Sequence, residues 1–512
     1  MRQRRSRRFL SLAFLWSLAV VVFSCAPAAA PAGKKDEAPI VVTQGADPNS
    51  MDPIRDTSTY TLNVFENVYD TLVSMDGSMK LQPRLATAWR QTSSTEWIFD
   101  LRKGVRFQDG TPWNAEAAKF TIDRIKDVAN KAVNAAQITS IASASVVDDS
   151  TLKVTTKYPM TPLPYQAFIT TYFASPTAVR QMGDQQFGLK GVGTGPYRMS
   201  EWVKDDHLTL EANPDYWGTK PTVKTLIFRP IKEISAAVAA LKTGKADVVL
   251  GLAPSQVPTL GQGSGVKVES VDGVFQMHFV INTAIKPLND ARVRQALNYA
   301  VDKETIVKNL LGGYASITCC VINKRLLGYD PSLAAYPYDP TKAKQLLADA
   351  GYATGFSVDL AVTQGRYVMD KEIAEAVAEQ LGKVGVRVKV NVVDASLFLG
   401  QVRELKFGGL AYLTVAALRG DPDHSYSSDV YSKGTFPGLY NNATMDQLIE
   451  AGRQAAPAER TKIYRDAEAL ARSDPPWLFM FSLTDLVGIS DRVKWSPKTH
   501  GFIRGVEMGY TN

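Results

Sequence analysis

The 512-residue chain has few of the side chains that metal centres and disulfide frameworks require. It contains only three cysteines and four histidines, with no Cys-x-x-Cys pair and no histidines spaced as metal ligands. The sequence therefore predicts neither a metal site nor a cofactor. Cys319 and Cys320 are adjacent, which leaves three possibilities. They could form a strained vicinal disulfide, pair between molecules, or remain two small buried thiols, which is the interpretation that we favour.

The chain also lacks a distributed excess of positive charge, although its formal net charge is +7. Five of its 58 basic residues lie in the first eight positions, and no acidic residue precedes Cys25. The remainder carries 53 basic against 51 acidic residues, so the balance does not indicate a nucleic-acid-binding surface. Hydrophobic residues make up 45% of the chain, which excludes a disordered or collagen-like protein and suits about three domains.

Long apolar runs are absent except at the start of the chain, where a mostly apolar run extends from residue 9 to 23. This run is shorter than the roughly 20 residues that a membrane-spanning helix needs. A basic region followed by such a run predicts a signal peptide at residues 1–24. We treat ordinary secretion as the default, although Arg7, Arg8 and Phe9 faintly resemble a twin-arginine signal.

Cys25 ends a segment that resembles the lipobox of bacterial lipoproteins, in which the cysteine is acylated and becomes the first residue. Cys25 is thus the predicted lipid attachment, and a plain signal peptide with an incidental cysteine is the alternative. Residues 25–37 are too small and polar to bury a core, which predicts a linker to the lipid. The protein is therefore expected to be exported, and lipid-anchored in the periplasm or at the outer face of the cytoplasmic membrane.

The rest of the chain alternates helical and strand patterns. From Asp290 onward, apolar residues follow the spacing of one helical face, and Asp339 and Pro340 predict the start of another helix. Residues 386–390 alternate strictly, as a half-buried strand does. Residues 96–107 suggest a hairpin, and residues 275–281 suggest the first strand of a second lobe. Repeated helix-then-strand order predicts an α/β fold.

Four stretches of this body resemble family 5 of the solute-binding proteins of ABC importers, which includes dipeptide-, oligopeptide- and nickel-binding members. They occur in order over nearly all of residues 38–510. They are FDLRKGVRFQDGTP at 99–112, GTGPY at 193–197 followed by NPDYW at 213–217, DARVRQALNYAVD at 290–302 and GDPD at 420–423.

This resemblance implies a two-lobed periplasmic-binding-protein fold of the class II or cluster C type, with an extra subdomain in the first lobe. Lobe one would comprise residues 38–57, 181–268 and 486–512, the inserted subdomain residues 58–180, and lobe two residues 269–485. The implied function is hinge closure around a short peptide or peptide-like solute, delivered to a membrane permease and its ATPase. The protein would act as a monomer and not as an enzyme.

The resemblance also implies where the ligand binds. Relatives that hold dipeptides place an acidic residue, which binds the peptide ammonium, three positions before Asp-Pro-Asp. This chain has Leu418 there, followed by Arg419, which faces either an anionic ligand or solvent. A buried ammonium without a carboxylate partner is costly. We therefore expect N-blocked or anionic compounds to bind more tightly than plain dipeptides.

Other candidate ligand contacts each have a structural alternative. Arg366 has the fork geometry for a carboxylate but could be a surface arginine, and Tyr367 could stack on ligand or pack. The remaining candidates follow the first strand, form possible walls, or belong to the Asp-Pro-Asp loop; they are Ser50, Met51, Tyr60, Trp113 and Asp421. His424 is the histidine nearest the expected cleft and could meet a metal chelate.

Three alternatives to peptide import remain open. The ligand could be an opine, an oligosaccharide or a metal chelate bound by the same mechanism. The protein could be a secreted hydrolase, although the sequence has neither a Gly-x-Ser-x-Gly nor a His-Glu-x-x-His motif. It could also be a receptor or chaperone that kept the fold without a permease.

Overall fold

The computed structural model describes residues 38–260, 265–499 and 501–511. The predicted signal peptide, Cys25 and the linker lie outside these residues. The described chain begins with strand β1 (Ile40–Gln44) and helix α1 (Thr59–Val68). The Ser58 hydroxyl accepts a hydrogen bond from the Thr61 amide and caps α1, because the first amides of a helix lack partners within it.

An inserted subdomain follows α1. Its elements are β2 (Val73–Met75), β3 (Leu81–Pro83), β4 (Ala86–Ser93), β5 (Glu96–Leu101), α2 (Ala115–Lys126), β6 (Ile141–Asp148), β7 (Thr151–Thr156) and α3 (Leu163–Phe168). Four strands form an antiparallel sheet in the order β4-β5-β7-β6. The hairpin predicted for residues 96–107 is wrong, because β5 ends at Leu101 and pairs with β4 and β7.

The next segment completes lobe one. It contains α4 (Pro176–Lys190), β8 (Tyr197–Val203), β9 (His207–Ala212), β10 (Thr225–Pro230), α5 (Ile234–Lys242) and β11 (Val248–Val249). The buried side chains of α1 pack in the same core as β1 and β10, whereas the separate core of the insertion includes Leu72 to Phe173. Helix α1 therefore shares its core with β1 and β10, although residues 58–68 fall within the predicted insertion.

A long strand then carries the chain into lobe two. The elements are β12 (Val266–Ile281), α6 (Ala291–Tyr299), α7 (Lys303–Leu310), β13 (Ala315–Ile317), α8 (Pro340–Asp349), β14 (Phe356–Val362), α9 (Asp370–Gly382), β15 (Val386–Val392), α10 (Ala395–Arg403), β16 (Leu410–Ala416), α11 (Pro422–Asp429), α12 (Ala443–Gln454) and α13 (Pro457–Ser473). The strand predicted at residues 275–281 is the second half of β12.

The chain returns to lobe one through β17 (Trp477–Ser490), and ends with β18 (Val493–Lys494) and β19 (Gly509–Tyr510). The main sheet has the order β15-β14-β16-β12-β17-β11-β1-β10-β9-β8, with β13 also paired to β17. Among the described strands of this sheet, only β12 and β17 extend through both the lobe-one half and the lobe-two half. Their pairing is interrupted between Asp272 and Gln276, which places a bulge where the two lobes meet.

Cys319 and Cys320 are joined in a disulfide. The favoured interpretation of two free thiols is therefore wrong, although both residues are buried as expected. The two residues can form a disulfide because adjacent cysteines keep their sulfurs within bonding reach without any tertiary contact. None of the helices in the described ranges is both long and apolar enough to span a bilayer.

Candidate ligand-binding site between the lobes

The loop after β16 lies where lobe two meets lobe one. The Ala417 amide donates to the Val274 carbonyl at 2.9 Å, one step beyond the last β16–β12 pair. Continuing this antiparallel register places Leu418 opposite Gly273. The half-buried Leu418 side chain packs against cores of both lobes, so this position lies at the interlobe boundary.

The inserted subdomain contacts the same loop. The Gln166 amide donates to Asp423 Oδ2 at 3.0 Å, and Arg419 Nη1 donates to Gln166 Oε1 at 3.1 Å. A Cβ atom on Gly420 would lie 3.1 Å from Tyr165 Cε1, so the loop backbone and this aromatic ring are in close contact. These contacts join the subdomain to lobe two across the interlobe boundary.

Acidic side chains in this loop are already paired. Both carboxylate oxygens of Asp421 accept hydrogen bonds from Arg460 at 2.7 Å, and Asp421 also caps α11 by accepting from the Asp423 amide. Asp423 accepts from Arg453 Nε at 2.7 Å. Because the Asp421 oxygens are used within lobe two, this residue holds the loop in place and offers no free carboxylate to a ligand.

Arg419 is less well compensated than these acids. Its one hydrogen-bond acceptor among the described residues is the neutral Gln166 amide. Burial lowers the pKa of Arg419 to about 10, and the nearby Asp423 charge offsets this only in part. Burial and the positive charge of Arg419 lower the pKa of His424 to about 3, so this histidine is neutral. The loop therefore presents an under-neutralised cation.

Arg366 and Tyr367 lie in the loop between β14 and α9. Strands β14 and β16 are parallel neighbours, with Leu360 opposite Leu410, so the loops that follow them lie at one edge of the sheet. The Arg366 side chain is exposed, and its guanidinium carbon lies 5.5 Å from the centre of the Tyr367 ring. Arg366 and Tyr367 therefore share this edge with Leu418 and Arg419.

The candidates that follow β1 lie on the lobe-one side. The half-buried Ser50 donates to the Gly188 carbonyl at 3.4 Å and accepts from the Asp52 amide at 3.1 Å. Met51 is 0% exposed and packs in the lobe-one core, so its side chain is a core residue. Tyr60 is 40% exposed at the start of α1, with its hydroxyl beside Gly45.

Trp113 lies inside the inserted subdomain. It is 4% exposed, and its ring packs edge-to-face on Phe107 and Phe173. Such aromatic contacts stabilise a core. The side chain is thus part of the subdomain core and does not form a wall at the interlobe boundary.

The sequence did not predict that the inserted subdomain contacts the loop after β16. Gln166 and Tyr165 contact the loop after β16 although more than 250 positions separate Gln166 from Arg419. No local pattern around them differs from that of an ordinary short helix. In the part of the chain that the structure describes, no three histidine, cysteine or acidic residues are grouped as metal ligands.

Comparison with known proteins shows which family this two-lobed chain belongs to. Residues 80–436 match the family of bacterial extracellular solute-binding proteins, family 5. The chain belongs to this family. Family 5 proteins are the substrate-binding components of ABC importers, so the resemblance noted in the sequence and the two-lobed α/β fold are both confirmed.

Individual known proteins match most of the chain. The glutathione-binding protein GsiB of Escherichia coli (strain K12) is 30% identical over 457 residues, which cover 86% of this chain and 88% of GsiB. The periplasmic binding protein DppA from Helicobacter pylori, solved with the peptide STSA, is 25% identical with a TM-score of 0.79, over 93% of this chain and 99% of DppA. HbpA2 from Haemophilus parasuis shares the fold, with 24% identity and a TM-score of 0.82, over 93% of this chain and 100% of HbpA2.

Proposed function

We propose that the protein captures a short peptide or peptide-like solute between its lobes and passes it unchanged to the permease and ATPase of an ABC importer. Membership of family 5 over both lobes is the observation that carries this proposal. The ligand class is supported by two relatives, GsiB, which is named for glutathione, and DppA, which was solved with a peptide.

Capture proceeds by hinge closure. A ligand that touches both lobes favours the closed state over the open state by its difference in affinity for the two. The bulge in the two connecting strands is where the backbone can bend with little loss of pairing. The permease then distinguishes the loaded, closed form from the empty, open form.

Arg419 binds the anionic end of the ligand. This assignment is supported because no carboxylate among the described residues is bonded to the Arg419 guanidinium, which is largely withdrawn from water. A ligand carboxylate would supply two acceptors in the plane of the guanidinium, which is the geometry that arginine favours. Exposed Arg366, at the same edge of lobe two, is a second candidate for the same group.

The protein acts as an exported, lipid-anchored monomer and makes or breaks no bond in its ligand. Residues 1–24 direct export, and acylated Cys25 retains the body at the membrane. A Cys25→Ala variant should then appear in the soluble fraction, whereas the parent should remain with membranes. Recovery of a chemically altered ligand after incubation would instead indicate an enzyme.

Mass spectrometry of the molecule that co-purifies with the protein tests the ligand class. A panel of dipeptides to pentapeptides, glutathione, opines, oligosaccharides and nickel chelates should then be screened by thermal unfolding. Any ligand that binds the folded state raises the unfolding temperature, so peptides should produce the largest shifts. A shift with only a sugar, an opine or a chelate would contradict the peptide assignment.

A further inference from the structure

The carboxylate of Asp485 lies at the hinge. Asp485 pairs with Val271, and the next pair, Asp272 with Thr484, is the last before the bulge that separates the lobes. Asp485 therefore sits at the passage from lobe one to lobe two. The sequence alone gave no reason to single it out.

Because Gly273 has no side chain, this carboxylate can lie close to the backbone of β12. A Cβ atom at Gly273 would lie 3.1 Å from both Cγ and Oδ1 of Asp485. Leu418 lies opposite Gly273 on its other side, as the extended β16–β12 register shows. Asp485, Gly273 and Leu418 thus occupy three neighbouring strands, and with Asp485 two residues out of register the backbones of Asp485 and Leu418 are about 12 Å apart.

The side chains of Asp485 and Leu418 lie on the same face of the main sheet. Side chains alternate along a strand, so Asp485 shares a face with Val487. Val487 belongs to the lobe-one core against which Leu418 packs. Asp272, on the opposite face, pairs with Lys324 at 2.6 Å, so Lys324 is not an ion-pair partner of Asp485.

The Asp485 carboxylate has no hydrogen bond and no ion pair with any residue in the described ranges. It is half-buried, and burial raises its pKa to about 6 with no neighbouring charge or donor to offset the shift. Two fully buried aspartates contrast with it, since Asp421 and Asp52 each accept two hydrogen bonds from an arginine. A carboxylate left without a partner at a low-dielectric site is unfavourable unless a cation arrives from elsewhere.

We propose that Asp485 binds the ammonium group of the ligand and so supplies, from β17, the carboxylate that is missing at Leu418. The ammonium would bond to the Asp485 carboxylate, and Leu418, on the same face of the sheet, would border the apolar part of the ligand. Together with Arg419, this gives one anionic and one cationic contact, which suits a zwitterionic ligand with a free amino group. The assignment rests on the proposed function and replaces the expectation that N-blocked compounds bind more tightly.

The test compares dialanine, trialanine and glutathione with their N-acetylated forms, by calorimetric titration of the parent protein and an Asp485→Asn variant. The parent should favour the free amines, and the substitution should weaken their binding by at least 10-fold with little effect on the acetylated forms. Asp466→Asn, at an exposed aspartate of α13 away from the hinge, is the control and should leave all affinities unchanged.

Stability separates a ligand contact from a structural role. Ligand-free Asp485→Asn should unfold at the same or a higher temperature than the parent, because it removes a half-buried charge that has no partner among the described residues. Equal affinity of parent and variant for the free amines, an equal loss for both forms, or a parent preference for acetylated peptides would overturn the assignment but leave peptide binding intact. Failure of the parent to bind any of these peptides would overturn the proposed function and the assignment together.

Discussion

At the scale of single residues, the charges near the interlobe boundary fall into two groups. Asp421 and Asp423 are each bonded to an arginine within lobe two, so their charges are neutralised before any ligand arrives. Arg419 and Asp485 lack a bonded partner of opposite charge among the described residues. Since unpaired buried charge is unfavourable in the empty protein, the second group is the one expected to contact a ligand.

Arg419→Gln should weaken binding of peptides that have a free carboxylate by roughly 10- to 100-fold, because a hydrogen bond to a charged group contributes about 1.5–3 kcal/mol. The affinity for C-terminally amidated peptides should fall much less. Calorimetric titration of both peptide types measures the difference. Arg403→Gln, at an exposed arginine of α10, is the control. An equal loss for amidated peptides would show that Arg419 acts only through the protein's own packing.

At the scale of secondary-structure elements, an ion pair joins α11 to α13. Asp421 caps α11, and its partner Arg460 lies in the first turns of α13. Their side chains are only 2% and 5% exposed. The pair therefore fixes the end of the loop that carries Arg419, and links the interlobe boundary to a helix that is remote in sequence.

Asp421→Asn should destabilise the protein by about 3–5 kcal/mol, because it leaves the Arg460 charge buried without a carboxylate. Asp466→Asn removes an exposed i,i+4 pair with Lys462 on the same helix and should change stability by less than about 0.5 kcal/mol. The free energy of unfolding in urea measures both variants. Similar values for the two would mean that the buried pair contributes no more than the surface pair.

At the scale of the whole molecule, two strands and one small contact region connect the two lobes, which move relative to each other on closure. β12 and β17 pass between the lobes, and Gln166 of the inserted subdomain bonds to both Arg419 and Asp423 of lobe two. Because Gln166 bridges separate halves, its two hydrogen bonds are available only when the halves are close together. They should therefore stabilise the closed state specifically.

Gln166→Ala should lower peptide affinity by roughly 10-fold, as expected when about 1.4 kcal/mol of closed-state stabilisation is lost. The decrease in radius of gyration that peptide causes in the parent, measured by small-angle X-ray scattering, should require more peptide in the variant. Gln345→Ala, which removes an exposed contact with Asp349 on α8, is the control. Unchanged affinity in Gln166→Ala would show that this bridge does not influence closure.

The sequence by itself determined the family, the two-lobed α/β architecture and several helix limits, such as the Asp290 and Asp339 caps. These features depend on local chemistry: a capping carboxylate, an apolar stripe, or a motif of adjacent residues. Met51 and Trp113 could not be placed the same way, because an aromatic or sulfur-containing side chain has the same local pattern in a core as in a cleft.

Only the tertiary structure decided which charges remain unpaired. Asp485 and Asp421 are both aspartates near the interlobe boundary, yet the Asp485 carboxylate has no partner among the described residues, whereas Asp421 is held by Arg460. Pairing depends on strands and helices that lie far apart in the chain, and burial depends on the packing of both lobes. Neither quantity is encoded in the residues next to an aspartate, so the ligand contacts had to be found in the folded molecule.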